Sequence, residues 1–255
     1  MNRLLGLLLM VGVAPAWAQD ESAPNPIEPE AIELLKAAAN NLAASKTFRM
    51  RSRISYDSVQ EDDQKLEFGA FRDVLVARPD KARIETRHRD GRHTVLVMDG
   101  KRLWIYTPAE KAYGGASQPG DIGTSLDFVA RELGVPQPLS DLLAADPYPE
   151  FAEGLTSAIV VGESEIDGVA CLHAAYRNDV GDFQLWVAQT DEQQIQRLVT
   201  TYRNEPGQPQ FRADLEGFDP NPKIDSETFV FTPPADAERL RFIVNAEPNT
   251  TTVEE

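Results

Sequence analysis

Few side chains in this chain could do covalent chemistry. Cys171 is the single cysteine, and His88, His93 and His173 are the only imidazoles. Cys171 and His173 stand two residues apart, a spacing that puts both on one face of a β-strand. There a thiolate and an imidazole could pair as nucleophile and base. The plainer reading, a buried structural thiol beside a histidine near a turn, is preferred. No Gly-x-Ser-x-Gly elbow surrounds any serine. Zinc would want His-x-His, His-Glu-x-x-His or Cys-x-x-Cys, and none occurs. The acidic run Glu61-Asp62-Asp63 lacks the alternating ligands and central glycine of a calcium loop and reads as a solvated turn. Gly114-Gly115 has no Lys-Ser or Lys-Thr behind it and opens a loop, so no phosphate cradle is expected. Carboxylates abound, but nothing singles out a pair flanking a glycosidic bond. The expectation is no catalytic residue, no metal and no cofactor.

Two other groups of side chains stand out. Arg49, Arg51 and Arg53 form a basic row on one strand face, suited either to an anionic head group or, as preferred here, to pairing with nearby Asp and Glu on an outward face. Large apolar residues crowd the strands: Phe68, Phe71, Trp104, Tyr106, Phe183, Trp186, Tyr202, Phe211, Phe218, Phe229 and Phe231. A sheet apolar on both sides must be covered on both or curl round its own interior. Either those residues fill a solid core, or they line a hollow that could take something greasy.

The elements that must position them are legible as periodicities. Ile32, Leu35, Ala39 and Leu42 recur at helical spacing behind Pro29 and an acidic first turn, giving a one-faced amphipathic helix. Phe48, Met50, Ile54 and Tyr56 then alternate with Arg49, Arg51, Arg53 and Ser55, the period of a half-buried strand. Further strands are read over 66–77, 82–87, 94–98 and 102–107, with Asp99-Gly100 as a hairpin turn. Ile122, Leu126, Val129, Ala130 and Leu133 and then Leu139, Leu142 and Leu143 make a helical interlude, which Asp146-Pro147-Tyr148-Pro149 breaks. Strands resume over 158–165, 169–177, 183–189, 197–202, 211–218 and 229–231, and Leu240, Phe242 and Val244 could add an edge strand. The class is mainly β with helices: a curved antiparallel sheet in meander order with helices against one face.

Composition bounds the partners. The net charge of −16 repels phosphate backbones and anionic lipid surfaces, so nucleic acid is a poor partner. Residues 4–13 are apolar behind Arg3 and end at Ala16-Trp17-Ala18, the pattern of a secretory signal peptide cleaved after Ala18. No other stretch is apolar enough to span a membrane, and no cysteine stands at the cleavage point to carry an acyl anchor. Residues 19–29, rich in Pro, Glu, Ser and Asn, read as a disordered leader; 30–244 as one domain; 245–255 as a disordered tail. With a lone cysteine no internal disulfide is possible, and about 235 residues are enough for one large core.

The stretch Val161-Gly162-Glu163-Ser164-Glu165-Ile166-Asp167-Gly168-Val169-Ala170-Cys171-Leu172-His173, followed by Phe183-Gln184-Leu185-Trp186-Val187, resembles the bacterial family of predicted periplasmic proteins known as domain of unknown function 2092. In order along the chain, Leu34-Leu35-Lys36, Met98-Asp99-Gly100-Lys101, Pro138-Leu139-Ser140-Asp141-Leu142-Leu143, Asp146-Pro147-Tyr148 and Phe229-Val230-Phe231-Thr232-Pro233-Pro234 carry the same likeness. That family is similar to the outer-membrane lipoprotein carriers and to periplasmic regulators of envelope stress. The resemblance implies an unclosed β-barrel with helices plugging a hydrophobic cavity on the concave face, and a periplasmic location; it transfers no motif residue as a binding site.

The expected function is a periplasmic carrier or sensor that holds a lipid or lipoprotein acyl chain without catalysis. Candidate lining residues are Phe48, Met50, Trp104, Tyr106, Leu126, Val129, Leu142, Trp186 and Phe211. The rival is a module that reads an envelope protein through an edge strand or apolar patch, with nothing bound inside. An enzyme using Cys171 or His173 stands third.

Overall fold

The structure is a computed structural model and describes residues 26–242; the expected signal peptide, most of the leader and the tail lie outside the described residues. Helix α1 (Pro29–Ala44) opens it. Six strands follow as a meander: β1 (Thr47–Val59), β2 (Lys65–Ala77), β3 (Lys81–His88), β4 (His93–Asp99), β5 (Arg102–Thr107) and β6 (Ala112–Ser117). Helix α2 (Ile122–Arg131), a 3-10 turn (Asp141–Leu143) and α3 (Pro147–Ala152) form the interlude. A second meander runs through β7 (Ser157–Ile166), β8 (Val169–Arg177), β9 (Asp182–Ala188), β10 (Ile195–Thr201) and β11 (Gln210–Asp219), and β12 (Glu238–Arg239) closes the described chain.

These make one 12-stranded sheet in the order β12-β6-β5-β4-β3-β2-β1-β11-β10-β9-β8-β7. Every pairing is antiparallel except that of β12 with β6. The two ends do not meet, so the barrel stays open. The two meanders are joined by the pairing of β1 with β11, Met50 opposite Phe218 and Tyr56 opposite Phe211.

Because side chains alternate across a strand, register assigns each to a face. The inward rows run Phe48–Val76–Ala82–Met98–Leu103 and Met50–Val74–Ile84–Leu96–Ile105 through the first meander. Ile54–Ala213–Leu198–Leu185–Ala174 continues the pattern through the second. The helices cover this inward face. In α1 the buried side chains are Ala31, Leu34, Leu35, Ala38, Ala39 and Leu42, a stripe at 3–4 spacing that packs on β7, β8 and α3. The buried Tyr176 hydroxyl donates to the Ala31 carbonyl at 2.8 Å, fixing the helix to β8. Ile122, Leu126 and Val129 of α2 and Leu142 and Leu143 of the 3-10 turn fill the space beside it.

Several local readings are corrected. Asp146-Pro147 does not break structure but starts α3: the Asp146 carboxylate accepts from the Tyr148 N–H at 3.2 Å, and proline at the first helical position loses no hydrogen bond. Gly114-Gly115 lies in strand β6, not in a loop. A Cβ on Gly115 would fall 2.2 Å from the Trp104 ring and one on Gly114 2.5 Å from the Phe242 ring, so the glycines make room for aromatic rings on opposite faces. The hairpin turn comes one residue later than Asp99-Gly100. Asp99 ends β4 with its carboxylate accepting from the Lys101 and Arg102 N–H groups, and Gly100, at φ +87°, opens the two-residue turn. Residues 229–231 are turn and loop, with Phe231 packed on Trp104, and the terminal strand is Glu238–Arg239 instead of the Leu240 alternation. The end of the expected leader is ordered: Ile27 bridges Ala158 in parallel, and the Glu28 carboxylate accepts from the Val160 N–H at 2.8 Å.

Candidate functional site

One half of the inward face is solid and the other is hollow. Beneath α2 and the 3-10 turn, Phe48, Met50, Leu126, Val129 and Leu142 are each no more than 1% exposed and pack on one another in the core. Toward the ends of the strands at Tyr56, His88 and Tyr202 the plug lifts away and leaves an open cavity of about 800 Å³. Its apolar wall comes from both meanders: Ile54, Ile84 and Leu96 from the first, Phe183, Leu198 and Phe211 from the second. The linker 135–141 and Phe151 of α3 form the roof.

Of the nine candidate lining residues put forward from sequence, only Phe211 lines this cavity; Phe183 and Tyr202, named among the large apolar residues of the strands, line it too. Phe48, Met50, Leu126, Val129 and Leu142 belong to the solid half. Trp104 and Tyr106 lie on the outward face, their rings 5.5 and 5.9 Å from Phe231. Trp186 is also outward, stacked 4.0 Å from the His173 ring. Periodicity distinguishes the two faces of each strand; it does not say where the opposite layer stands off.

The polar part of the lining was missed. Arg72 occupies an inward position of β2 between Ala70 and Val74 and is 6% exposed. Its Nη1 donates to the Pro138 carbonyl and its Nη2 to the Gln137 side-chain oxygen at 3.3 Å, while Nε has no partner. Burial pulls its pKa down to about 10, leaving it charged at neutral pH. Opposite it on β1, the buried Ser52 hydroxyl is also without a partner. His88 stands nearby, pushed below the usual imidazole range by burial and by the Arg92 charge. An arginine interrupting an apolar inward period is the signal that could have found this group.

A second, half-buried arginine ties the plug down. Arg78 donates to the Leu143 carbonyl at 2.8 Å, to that of Ala144, and to Ser45 at 3.3 Å.

The remaining candidate chemistry is accounted for without a site. Cys171 and His173 share the outward face of β8, but the thiol points to the Val169 carbonyl at 3.3 Å and the imidazole contacts Gln184 at 3.0 Å. Burial pushes the thiol pKa up and the imidazole pKa down, so neither is ionised at neutral pH. In the basic row, Arg49 pairs with Asp73 and Arg53 with Glu216 at 2.5 Å, while Arg51 lies across Gly217. Asp63 takes a positive φ in the exposed turn after β1. Among the described residues no three His, Cys, Asp or Glu side chains are grouped to hold a metal, and no helix is long and apolar enough to cross a membrane.

The profile of the predicted periplasmic protein family DUF2092 matches residues 31–243. The chain belongs to that family. No curated protein matches it. Among solved structures the family member is similar to an uncharacterised conserved protein from Thermus thermophilus, at 13% identity and TM-score 0.47 over 83% of this chain and 99% of that one. It is also similar to the Mycobacterium tuberculosis lipoprotein LppX, at 14% identity and TM-score 0.46 over 78% and 100%. A third is the LolA superfamily protein NE2245 from Nitrosomonas europaea, at 12% identity and TM-score 0.34 over 79% and 97%. At such identities and scores these chains carry no inference about what this DUF2092 member binds; its own cavity must supply that.

Proposed function

We propose that this protein is a periplasmic carrier that holds the acyl chain of a lipid or lipoprotein between its curved sheet and its helical plug, without catalysis. The observation that carries the reading is the cavity of about 800 Å³, walled by Ile54, Ile84, Leu96, Phe183, Leu198 and Phe211 and open to solvent at one end of the strands. That volume falls within the roughly 300–1,000 Å³ of ordinary ligand sites. Burying about 14 methylenes at ~0.8 kcal/mol each is worth on the order of 11 kcal/mol, enough to draw one chain out of water. No group in the cavity needs to break a bond. The family's description as periplasmic supports the location.

Native mass spectrometry of protein released gently from the periplasm, followed by titration with saturated chains of increasing length, tests this. A co-purifying mass in the lipid range is expected, with affinity rising about fourfold per added methylene until the cavity is full. Bare polypeptide together with affinities that do not change with chain length would overturn it.

A further inference from the structure

The acyl-binding reading explains the apolar wall but not Arg72. A cation 6% exposed in such a wall is costly unless an anion meets it. Its bonded partners, the Pro138 carbonyl and the Gln137 amide oxygen, are neutral. The other charged groups of the lining are placed differently. Asp141, Glu150 and Glu205 are exposed at the rim, and Asp57 accepts from the Gln210 N–H and faces Lys65 at 3.9 Å. Arg92 is exposed and paired with Asp90 at 2.8 Å. The lining therefore combines a buried positive charge with a negative rim.

The unused edge of the guanidinium is informative. Nη1 is committed to Pro138, whereas Nε is buried without a partner and Nη2 holds only an amide oxygen at 3.3 Å. Nε and Nη2 together form the side-on fork that donates to both oxygens of one carboxylate. The unpartnered Ser52 hydroxyl and the Thr86 and Thr94 side chains lie in the same cross-strand row.

Resting on the acyl-binding reading, we propose that the ligand is a long-chain fatty carboxylate, its head seated on the Nε/Nη2 edge of Arg72 in place of the Gln137 amide and its tail along Ile84, Leu96, Leu198 and Phe211. A single buried guanidinium neutralises a monoanion. A phosphate ester carrying nearly two charges would leave one unmatched in an apolar wall, behind a rim that repels it.

The test is competition against the neutral fluorophore N-phenyl-1-naphthylamine on the full chain stripped of lipid, using laurate, dodecanol and dodecyl phosphate, which share one tail. Laurate is expected to displace the dye at a concentration at least tenfold lower than dodecanol and lower than dodecyl phosphate. In Arg72→Gln laurate and dodecanol should converge, and Arg72→Lys should keep part of the gap. If Arg72→Gln does not fold, the comparison of acid with alcohol on the unaltered protein decides. Equal displacement by laurate and dodecanol overturns the head-group assignment and leaves the acyl cavity standing. A stronger effect of dodecyl phosphate overturns the choice of carboxylate. Displacement by none of the three overturns the acyl cavity itself, and the head-group assignment with it.

Discussion

Thr200→Trp puts the binding reading at risk without endangering the fold. Thr200 sits half-buried on the inward face of β10, in the row with Phe183 and Phe211, and its side chain borders the cavity. A tryptophan there keeps a strand-favouring residue and grows into empty space, so no packed neighbour must move. If the indole takes about 120 Å² of apolar wall that a bound chain would otherwise cover, at about 25 cal/mol/Å² the loss is about 3 kcal/mol, roughly a hundredfold in Kd. Dye displacement by laurate reads the change in affinity, and thermal unfolding checks that Tm is held or raised. Val161→Trp, at a position 54% exposed on edge strand β7, is the control and should leave binding unchanged. A folded Thr200→Trp protein that binds laurate as tightly as the unsubstituted chain would refute the assignment of this hollow as the ligand site.

Three further outcomes follow from the contacts that hold the plug and the second meander. Arg78→Ala removes the donor to the Leu143, Ala144 and Ser45 carbonyls and should cost about 2–3 kcal/mol; faster hydrogen exchange over 139–152 would localise the loss. Tyr176→Phe deletes the buried hydroxyl that donates to Ala31 and should lower stability by about 1 kcal/mol in urea unfolding, with earlier exchange in the first turn of α1. Asp182, held below the usual carboxylate range by the Arg177 guanidinium, contributes stability that is present above the unfolded Asp value of about 3.9 and lost as pH falls through its lower folded value. Asp182→Asn should therefore cost about 1 kcal/mol at pH 7 and progressively less in urea titrations toward pH 3.

The strands and the faces of α1 and α2 were legible because burial on one side imposes a period. Phe48 to Tyr56 on β1 and Ile122 to Val129 on α2 show it plainly. Strand β6 was hidden because its glycines are dictated by rings from elsewhere, Trp104 and Phe242, and so carry no period of their own. The pairing of β1 with β11 had no local signature, since its partners lie far apart in sequence. The cavity was harder still. Met50 and Ile54 have the same pattern on the same strand, yet one is packed under the plug and the other borders open space. What separates them is the path of the linker 135–141, which periodicity does not encode. Arg72 was visible in principle, as a charge at an inward position of an apolar strand.

The junction of β1 with β11 also governs the order in which the molecule can be built. Each meander pairs neighbours in sequence and can assemble while the chain is still emerging, but β1 remains a bare edge until almost the whole polypeptide has arrived. The cavity takes walls from both sides of that seam, Ile84 and Leu96 on one and Leu198 and Phe211 on the other. It can therefore form only after β11 has joined β1. A nascent or truncated chain ending before residue 210 would lack the wall at Phe211 and leave its first strand uncovered, so on the proposed reading a bound ligand would report that the two meanders have joined.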